Sequence, residues 1–209
     1  MSLFELHRTD HPTPEVERAA IVADPVFGKF YADHMAVADY TEGLGWRDAR
    51  IIPTGQWQLH PAAAVFHYGQ EIFEGLKAYR HADSSVWLFR PGRNARRFIS
   101  SAERLEMAPF PEELFLASLD ELVALEQAWV PQPDGERSLY LRPFEIADEP
   151  YLGVREAKNY RYGLLASPVG AYYPAPVKLW IPPNYTRAAP GGTGTAKCGG
   201  NYAASLAAA

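Results

Sequence analysis

Residues 191–202 read GGTGTAKCGGNY, which places Lys197 inside a run of glycines. Two phosphate-binding motifs require a different residue order. A P-loop needs Gly-Lys followed by Ser or Thr, whereas Ala196 precedes this lysine and Cys198 follows it. A dinucleotide-binding turn needs its third glycine at the position that Lys197 occupies. The stretch therefore predicts neither kind of nucleotide site.

A third use of a lysine among glycines is covalent. Glycines let the backbone approach a flat cofactor, and an amine that is deprotonated by burial and neighbouring charge condenses with an aldehyde. Tyr202 follows closely enough to hydrogen-bond a phenolate oxygen on such a ring, and an arginine from elsewhere would have to hold a phosphate. The alternative is a solvated lysine in a flexible loop. Spacing alone leaves both readings open.

Patterning in the rest of the chain predicts an α+β fold. Recurrence of apolar residues every three or four positions predicts helices at 94–105 and 112–129. Short apolar or alternating runs between turn signals are typical of strands. The predicted strands are residues 33–40, 57–67, 86–89, 138–142 and 160–169. The polar residues 1–25, interrupted by prolines, are predicted to form an irregular arm.

Strict alternation at 138–142 assigns the two faces of one strand. Leu139 and Leu141 share one face, which we expect to be core, and Tyr140 and Arg142 share the other, which is free to line a site. The prolines within 171–176 resist both helix and sheet, so this segment is a predicted linker. It would separate a small N-terminal domain, 1–170, from the start of a larger one, 177–209. The larger domain is expected to open with a strand at 177–181 and a helix beginning near Asn201.

Composition excludes several classes of function. A net charge of -5 and the lack of any Lys/Arg-rich block argue against a nucleic-acid partner. No apolar run approaches the roughly 20 residues of a membrane span, and the N-terminus lacks a targeting pattern, so a cytoplasmic protein is expected. The lone Cys198 provides neither an internal disulfide nor a cysteine-based metal site, and no metal is expected.

Residues 191–205 closely resemble the lysine segment of the branched-chain aminotransferases, which are fold-type IV enzymes that use pyridoxal 5'-phosphate. Other stretches resemble the same family in the same order, at residues 27–29, 33–35, 67–79, 88–91, 140–143 and 168–172. The resemblance implies the α+β fold of that type. It also implies transfer of an amino group between leucine, isoleucine or valine and 2-oxoglutarate, by a ping-pong Schiff-base mechanism.

The family pattern assigns roles around the cofactor. Lys197 would be its covalent anchor and would also carry a proton between substrate and cofactor. Tyr202 would hydrogen-bond the cofactor phenolate. Arg97 matches the arginine that binds the phosphate, although its neighbour Arg96 could take that assignment.

The pattern also implies a substrate pocket and a homodimer. A pocket that accepts both an aliphatic side chain and a glutamate carboxylate needs aromatic walls and a cation, and Arg142 with Tyr140 would hold the carboxylate. Val154 matches a loop position that reaches into the pocket of the partner subunit. The remaining substrate residues implied by the resemblance are Phe27, Tyr68, Phe73 and Tyr172. Lys77, Glu74 and His67 lie in resembling segments, but no role can be derived for them.

Family members continue well past residue 209, through a domain that supplies the acidic partner of the pyridine nitrogen. We therefore expect an N-terminal portion of a longer enzyme that is not active alone. A D-amino-acid transaminase and an aminodeoxychorismate lyase share the lysine and the phosphate arginine, although residues 71–79 favour the branched-chain group. A non-catalytic truncated relative that dimerises through its small domain is the alternative outside enzymes.

Overall fold

The computed structural model describes residues 2–133, 135–173 and 175–208, and the eight strands among these residues form one sheet. The strands are β1 (Glu5–Leu6), β2 (His34–Thr41), β3 (Gly45–Pro53), β4 (Glu71–Phe73), β5 (Leu76–Arg80), β6 (Val86–Leu88), β7 (Ser138–Ala147) and β8 (Asn159–Val169). Their order is β1-β3-β2-β8-β7-β5-β6, and β4 pairs with β7 beside β5. All pairs are antiparallel except β1 with β3.

Five α-helices accompany the sheet in the described residues: α1 (Glu15–Ala23), α2 (Ala64–Tyr68), α3 (Pro91–Arg104), α4 (Glu112–Leu125) and α5 (Gly200–Ala203). Short 3-10 turns follow at Gln127–Trp129 and Leu206–Ala208. The predicted α+β class is confirmed, and so are both long predicted helices to within a few residues. Among these described helices, none has the length and apolar character that crossing a bilayer requires.

The core lies between the sheet and the pair α3 and α4. Tyr162 of β8 is fully buried and stacks on Phe110, with ring centroids 3.9 Å apart. Phe98 of α3 and Phe115 of α4 pack around the same tyrosine. The predicted apolar stripe of α4 is therefore core, as expected from its spacing. Leu139 and Leu141 are fully buried as predicted, which leaves Tyr140 and Arg142 on the opposite face.

Strand β7 continues five residues beyond the predicted end at Arg142. Proline has no N–H for a sheet, so Pro143 indicated a boundary. In the fold, β5 pairs with residues 139–141 of β7 and β4 pairs with residues 144–146. Pro143 lies between those two partners, where its carbonyl accepts a hydrogen bond from the Glu74 N–H. The lack of an N–H at Pro143 therefore does not interrupt the hydrogen bonds between β7 and its neighbouring strands.

Three predicted elements are wrong. Residues 57–67 contain no strand and end in α2, because Pro61 removes a donor and the alanines after it favour a helix. Residues 1–25 are not an irregular arm, since β1 pairs with β3 and α1 follows. Residues 177–181 form no strand despite their apolar, β-branched and aromatic residues, and their side chains are exposed. A strand needs a partner backbone, and no described strand pairs with this segment.

The predicted domain boundaries stay predictions. The described residues of 171–176 belong to no helix or strand, which is compatible with a linker. Pro174, one of its two prolines, lies outside the described residues, as does Ala209 at the end of the predicted second domain.

Glu145 is the one acidic residue on the core face of β7, between Tyr162 on β8 and Ile72 on β4 in the strand register. Its side chain is fully buried, and neither carboxylate oxygen has a hydrogen-bond partner among the described residues. Burial raises the pKa of Glu145 well above its ordinary value, because the ionised form has no compensating charge. Burial therefore favours the protonated, neutral form of this carboxyl in the folded protein.

Replacing Glu145 with glutamine is expected to stabilise the fold at pH 7 by about 2 kcal/mol. A carboxyl whose pKa is raised by folding contributes no penalty below its unfolded pKa, near 4.5. It costs stability increasingly as the pH rises towards the folded pKa. The gain should therefore shrink to near zero around pH 4, as measured by urea unfolding between pH 4 and 7. The exposed Glu156→Gln is the control, and a gain independent of pH would contradict the argument.

Candidate active site

The backbone of Lys197 is held between β4 and α3. Its carbonyl accepts a hydrogen bond from the Phe73 N–H at 2.9 Å. Its own N–H donates to the Ser101 hydroxyl oxygen, also at 2.9 Å, and Ser101 is fully buried. The backbone of this half-buried lysine is therefore fixed on the core and does not lie in a freely moving loop.

The Lys197 side chain ends beside two aromatic residues. Its Nζ donates a hydrogen bond to the Tyr202 hydroxyl at 2.6 Å. The same nitrogen lies 4.1 Å from the ring centroid of Phe73 and 4.7 Å from that of Tyr202. Apolar rings on one side and a hydroxyl on the other hold an amine in place while one polar neighbour exchanges protons with it.

The Asn201 side chain forms hydrogen bonds that hold the glycine-rich loop preceding Lys197. Its side-chain amide donates to the carbonyls of Thr193 at 2.8 Å and Ala196 at 2.9 Å, and its carbonyl accepts from the Thr193 hydroxyl at 2.7 Å. Asn201 is buried, so these bonds satisfy all three groups away from water. The predicted helix start near Asn201 is confirmed, because α5 begins at Gly200, and the Asn201 side chain holds the preceding loop instead of capping the helix.

Glu71 holds the backbone that follows Lys197 in the chain. Its carboxylate accepts a hydrogen bond from the Gly199 N–H. Burial raises the pKa of Glu71, while that hydrogen bond and the charge of Arg142 act in the opposite direction. A Cβ on residue 199 would overlap Glu71 Oε1, so the carboxylate would have to move away from the Gly199 N–H.

Replacing Gly199 with alanine is expected to destabilise the protein by about 1–3 kcal/mol, because Glu71 must move and the loop loses its anchor. The matched control is Gly200→Ala, where nothing lies within 4 Å of the added Cβ. Gly200 begins α5, so alanine there should be neutral or slightly stabilising. Urea unfolding of both variants checks the difference, and equal effects at the two positions would contradict the steric explanation.

Arg142 contacts the same Phe73 ring as the lysine. Its guanidinium is 4.7 Å from the centroid of Phe73 and 5.2 Å from that of Tyr140. Its Nε and Nη2 donate to the Tyr140 hydroxyl at 3.1 and 2.7 Å. The strand alternation of β7 brings these two side chains together, as predicted. Phe73 thus contacts two cationic groups, which makes the space beside it suited to a carboxylate.

Further aromatic residues extend this face of the sheet. Phe27 packs against Tyr140, with centroids 5.3 Å apart, and edge-on against Tyr172 at 5.2 Å. Both Phe27 and Tyr172 keep large exposed fractions, 44% and 62%. The structure therefore brings Phe27, Tyr140 and Tyr172 into one open apolar cluster beside Arg142.

Arg97 points its guanidinium at a buried carboxylate. Its Nε and Nη2 donate to the two oxygens of Glu74 at 2.5 and 2.8 Å. These hydrogen bonds raise the pKa of Arg97, and the charge of Tyr202 acts in the same direction. Arg96 instead pairs with the exposed Glu112 at 3.3 Å, so the neighbours on α3 have separate partners.

Two predicted site residues, Tyr68 and Val154, make no described contact with Lys197, Phe73 or Arg142. The Tyr68 hydroxyl donates to the Leu152 carbonyl, and Val154 is 86% exposed. Both line a separate depression with Gln70, Thr193 and Gly200.

Sequence reasoning missed Ser101, and it gave Glu71 and Glu74 no role. A signal was available for the two glutamates, which flank Phe73 within the resembling segment 67–79. Ser101 carried no such signal, because a buried serine on a helix is indistinguishable from an exposed one in sequence.

The donors of this site fit a small aldehyde that carries a phenolic ring and a phosphate. Lys197 supplies the amine, Tyr202 lies within hydrogen-bond reach of that amine, and Arg97 keeps its Nη1 group without a hydrogen bond among the described residues. Such a ligand needs one covalent anchor and charge-assisted donors at the other end.

Comparison with known proteins identifies close relatives. The chain is 55% identical over 206 residues to the branched-chain-amino-acid aminotransferase of Mycolicibacterium smegmatis, with 97% of the chain covered. It is 53% identical over 206 residues to the enzyme of the same name from Mycobacterium tuberculosis, again with 97% covered. The chain spans 56% of the length of each of these relatives.

A solved structure shares the fold. The branched-chain amino acid aminotransferase of T.th., complexed with N-(5'-phosphopyridoxyl)-L-glutamate, matches with a TM-score of 0.61 and 27% identity. The match covers 83% of this chain and 54% of that one. No protein-family model matches the chain.

Proposed function

We propose, from the premise that this chain is homologous to the amino-terminal portion of the branched-chain-amino-acid aminotransferases, that the full-length protein exchanges amino groups between leucine, isoleucine or valine and 2-oxoglutarate. The observation that carries the proposal is the placement of the Lys197 amine against Tyr202 and Phe73, in a chain 55% identical to a named aminotransferase. Pyridoxal 5'-phosphate is the proposed cofactor, and the site donors fit it.

When bound, the cofactor supplies an electron-withdrawing ring that stabilises negative charge at the α-carbon of an amino acid. Lys197 would anchor the cofactor, and its free Nζ would carry the proton from the α-carbon of the substrate to the cofactor in one half-reaction and in the opposite direction in the other. Tyr202 holds the Nζ by accepting its hydrogen bond, which limits the positions from which the proton moves. Arg97 offers its free Nη1 edge to the phosphate.

The open aromatic cluster accounts for a dual substrate. A branched aliphatic side chain packs against Phe27, Phe73 and Tyr172 and gains by leaving water. The side-chain carboxylate of glutamate pairs with Arg142, which Tyr140 orients through its hydroxyl. One pocket thereby accepts an apolar group in one half-reaction and an anionic group in the other.

A homodimer would complete the pocket. Val154 is exposed and has no contact with Lys197, which suits a residue that inserts into a second copy of the chain. Tyr68, whose hydroxyl is bonded to Leu152 on the same loop, would approach the pocket from the same side. The partners proposed are thus small amino acids, their 2-oxo acids and a second subunit.

The test uses the full-length gene product. The purified protein should show the visible absorption of a lysine-bound pyridoxal phosphate and should transaminate leucine with 2-oxoglutarate. A preference for D-alanine would identify a D-amino-acid transaminase, and turnover of aminodeoxychorismate would identify a lyase. A protein without the absorption band and without turnover of any of these substrates would be a non-catalytic relative.

A further inference from the structure

Glu74 is a fully buried carboxylate that the proposed reaction does not use. It lies between β4 and β5, one residue beyond Phe73. Besides Arg97, its oxygens accept hydrogen bonds from the Asn94 side-chain amide at 2.8 Å and from the Gly75 N–H at 3.2 Å. Four donors therefore satisfy a charge that the protein interior would otherwise strongly disfavour.

These contacts divide the Arg97 guanidinium into a fixed edge and a free edge. The edge formed by Nε and Nη2 makes the two-pronged pair with Glu74, whose side chain has 0% exposure. The Arg97 side chain keeps 52% exposure, and its Nη1 has no hydrogen bond among the described residues. A planar guanidinium held along one edge can point its remaining N–H groups in one direction only.

Two effects of Glu74 on a bound phosphate oppose each other. Its negative charge repels an anion, whereas its hold on Arg97 removes side-chain freedom that the arginine would otherwise lose on binding. A phosphate at the free edge would be separated from Glu74 by the guanidinium. The repulsion between the carboxylate and the phosphate therefore acts over a longer distance than the hydrogen bonds from Arg97 to the phosphate. The affinity gained by orienting Arg97 should therefore exceed the affinity lost to repulsion between Glu74 and the phosphate.

We propose that Glu74 is a positioning residue, which fixes Arg97 so that the free edge of its guanidinium recognises a phosphate monoester. This inference rests on the proposed function, because it requires that Arg97 bind the cofactor phosphate. It adds that selection of the phosphorylated cofactor over its dephosphorylated form depends on a carboxylate that never touches the ligand.

The experiment compares two ligands that differ only in the phosphate. Cofactor-free full-length protein is titrated with pyridoxal 5'-phosphate and with pyridoxal, and the ratio of the two Kd values measures phosphate recognition. Arg97→Met should weaken binding of the phosphorylated ligand about 100-fold and leave pyridoxal within about twofold. Glu74→Gln should weaken binding of the phosphorylated ligand alone, by about 10-fold. The NH₂ group of the glutamine would face an N–H of Arg97, and two donors cannot hydrogen-bond to each other. In the double variant, Glu74→Gln should add nothing to Arg97→Met.

Glu74→Asp separates position from charge and serves if the glutamine variant fails to fold. It keeps the negative charge but withdraws the carboxylate by one methylene, so the guanidinium must follow. We expect the same selective loss of phosphate recognition, and wild-type selectivity in this variant would overturn the positioning role. Equal loss of both ligands in Glu74→Gln would also overturn it, since a merely structural residue affects both. If Arg97→Met itself leaves the Kd ratio unchanged, the phosphate assignment of Arg97 in the proposed function fails as well.

Discussion

Replacing Lys197 with alanine is expected to abolish amino-group transfer in the full-length protein and to lower kcat by about 10,000-fold or more. The variant loses the amine that anchors the cofactor and the base that moves the α-proton, and no neighbour replaces either. Tyr202, its hydrogen-bond partner, carries no amine. The rate of leucine transamination and the visible absorption band are both measured, and both should disappear.

The control for this prediction is Lys178→Ala. Lys178 is an exposed lysine upstream of the same glycine-rich stretch, so its loss removes an equal charge without touching the site. Its turnover and absorption should match the wild type. A Lys197→Ala protein that keeps the absorption band would place the covalent anchor elsewhere and would remove the central support of the proposed function.

Replacing Arg142 with methionine is expected to impair the reaction of dicarboxylate substrates much more than that of branched-chain substrates. The kcat/KM for 2-oxoglutarate and for glutamate should fall by about 100-fold or more, because the side-chain carboxylate of these substrates would lose its cationic partner. The kcat/KM for leucine and its 2-oxo acid should change less than about fivefold, since methionine preserves an apolar wall beside Phe73. Separate half-reactions with each substrate measure the two effects.

Tyr140→Phe is a milder variant that tests the same carboxylate site. It removes the hydroxyl that accepts both Arg142 hydrogen bonds but keeps the ring that packs on Phe27. The loss for dicarboxylates should have the same direction and a smaller size, near 10-fold. An equal fall for leucine and glutamate in Arg142→Met would mean that the arginine supports the pocket as a whole and does not select a carboxylate.

The long periodic elements could be predicted from sequence because their signals are local. The α4 stripe and the β7 alternation each follow from side-chain spacing along one element, and the structure confirms both. Two of the three failures were segments whose state depends on a distant partner. Residues 177–181 carry a strand pattern without a described strand beside them, and β1 is a strand only because β3 pairs with it.

The sequence by itself determined which residues are chemically able to act: a lysine among glycines, a nearby tyrosine and an arginine on an alternating strand. Only the tertiary structure decided how those residues are held. Glu74 meets Arg97 across 23 positions of chain, and Ser101 meets Lys197 across 96. Such contacts depend on how β4 is registered on β7 and on how α3 packs beside β4. No local pattern encodes them, because register and packing are settled jointly by many residues distant in the chain.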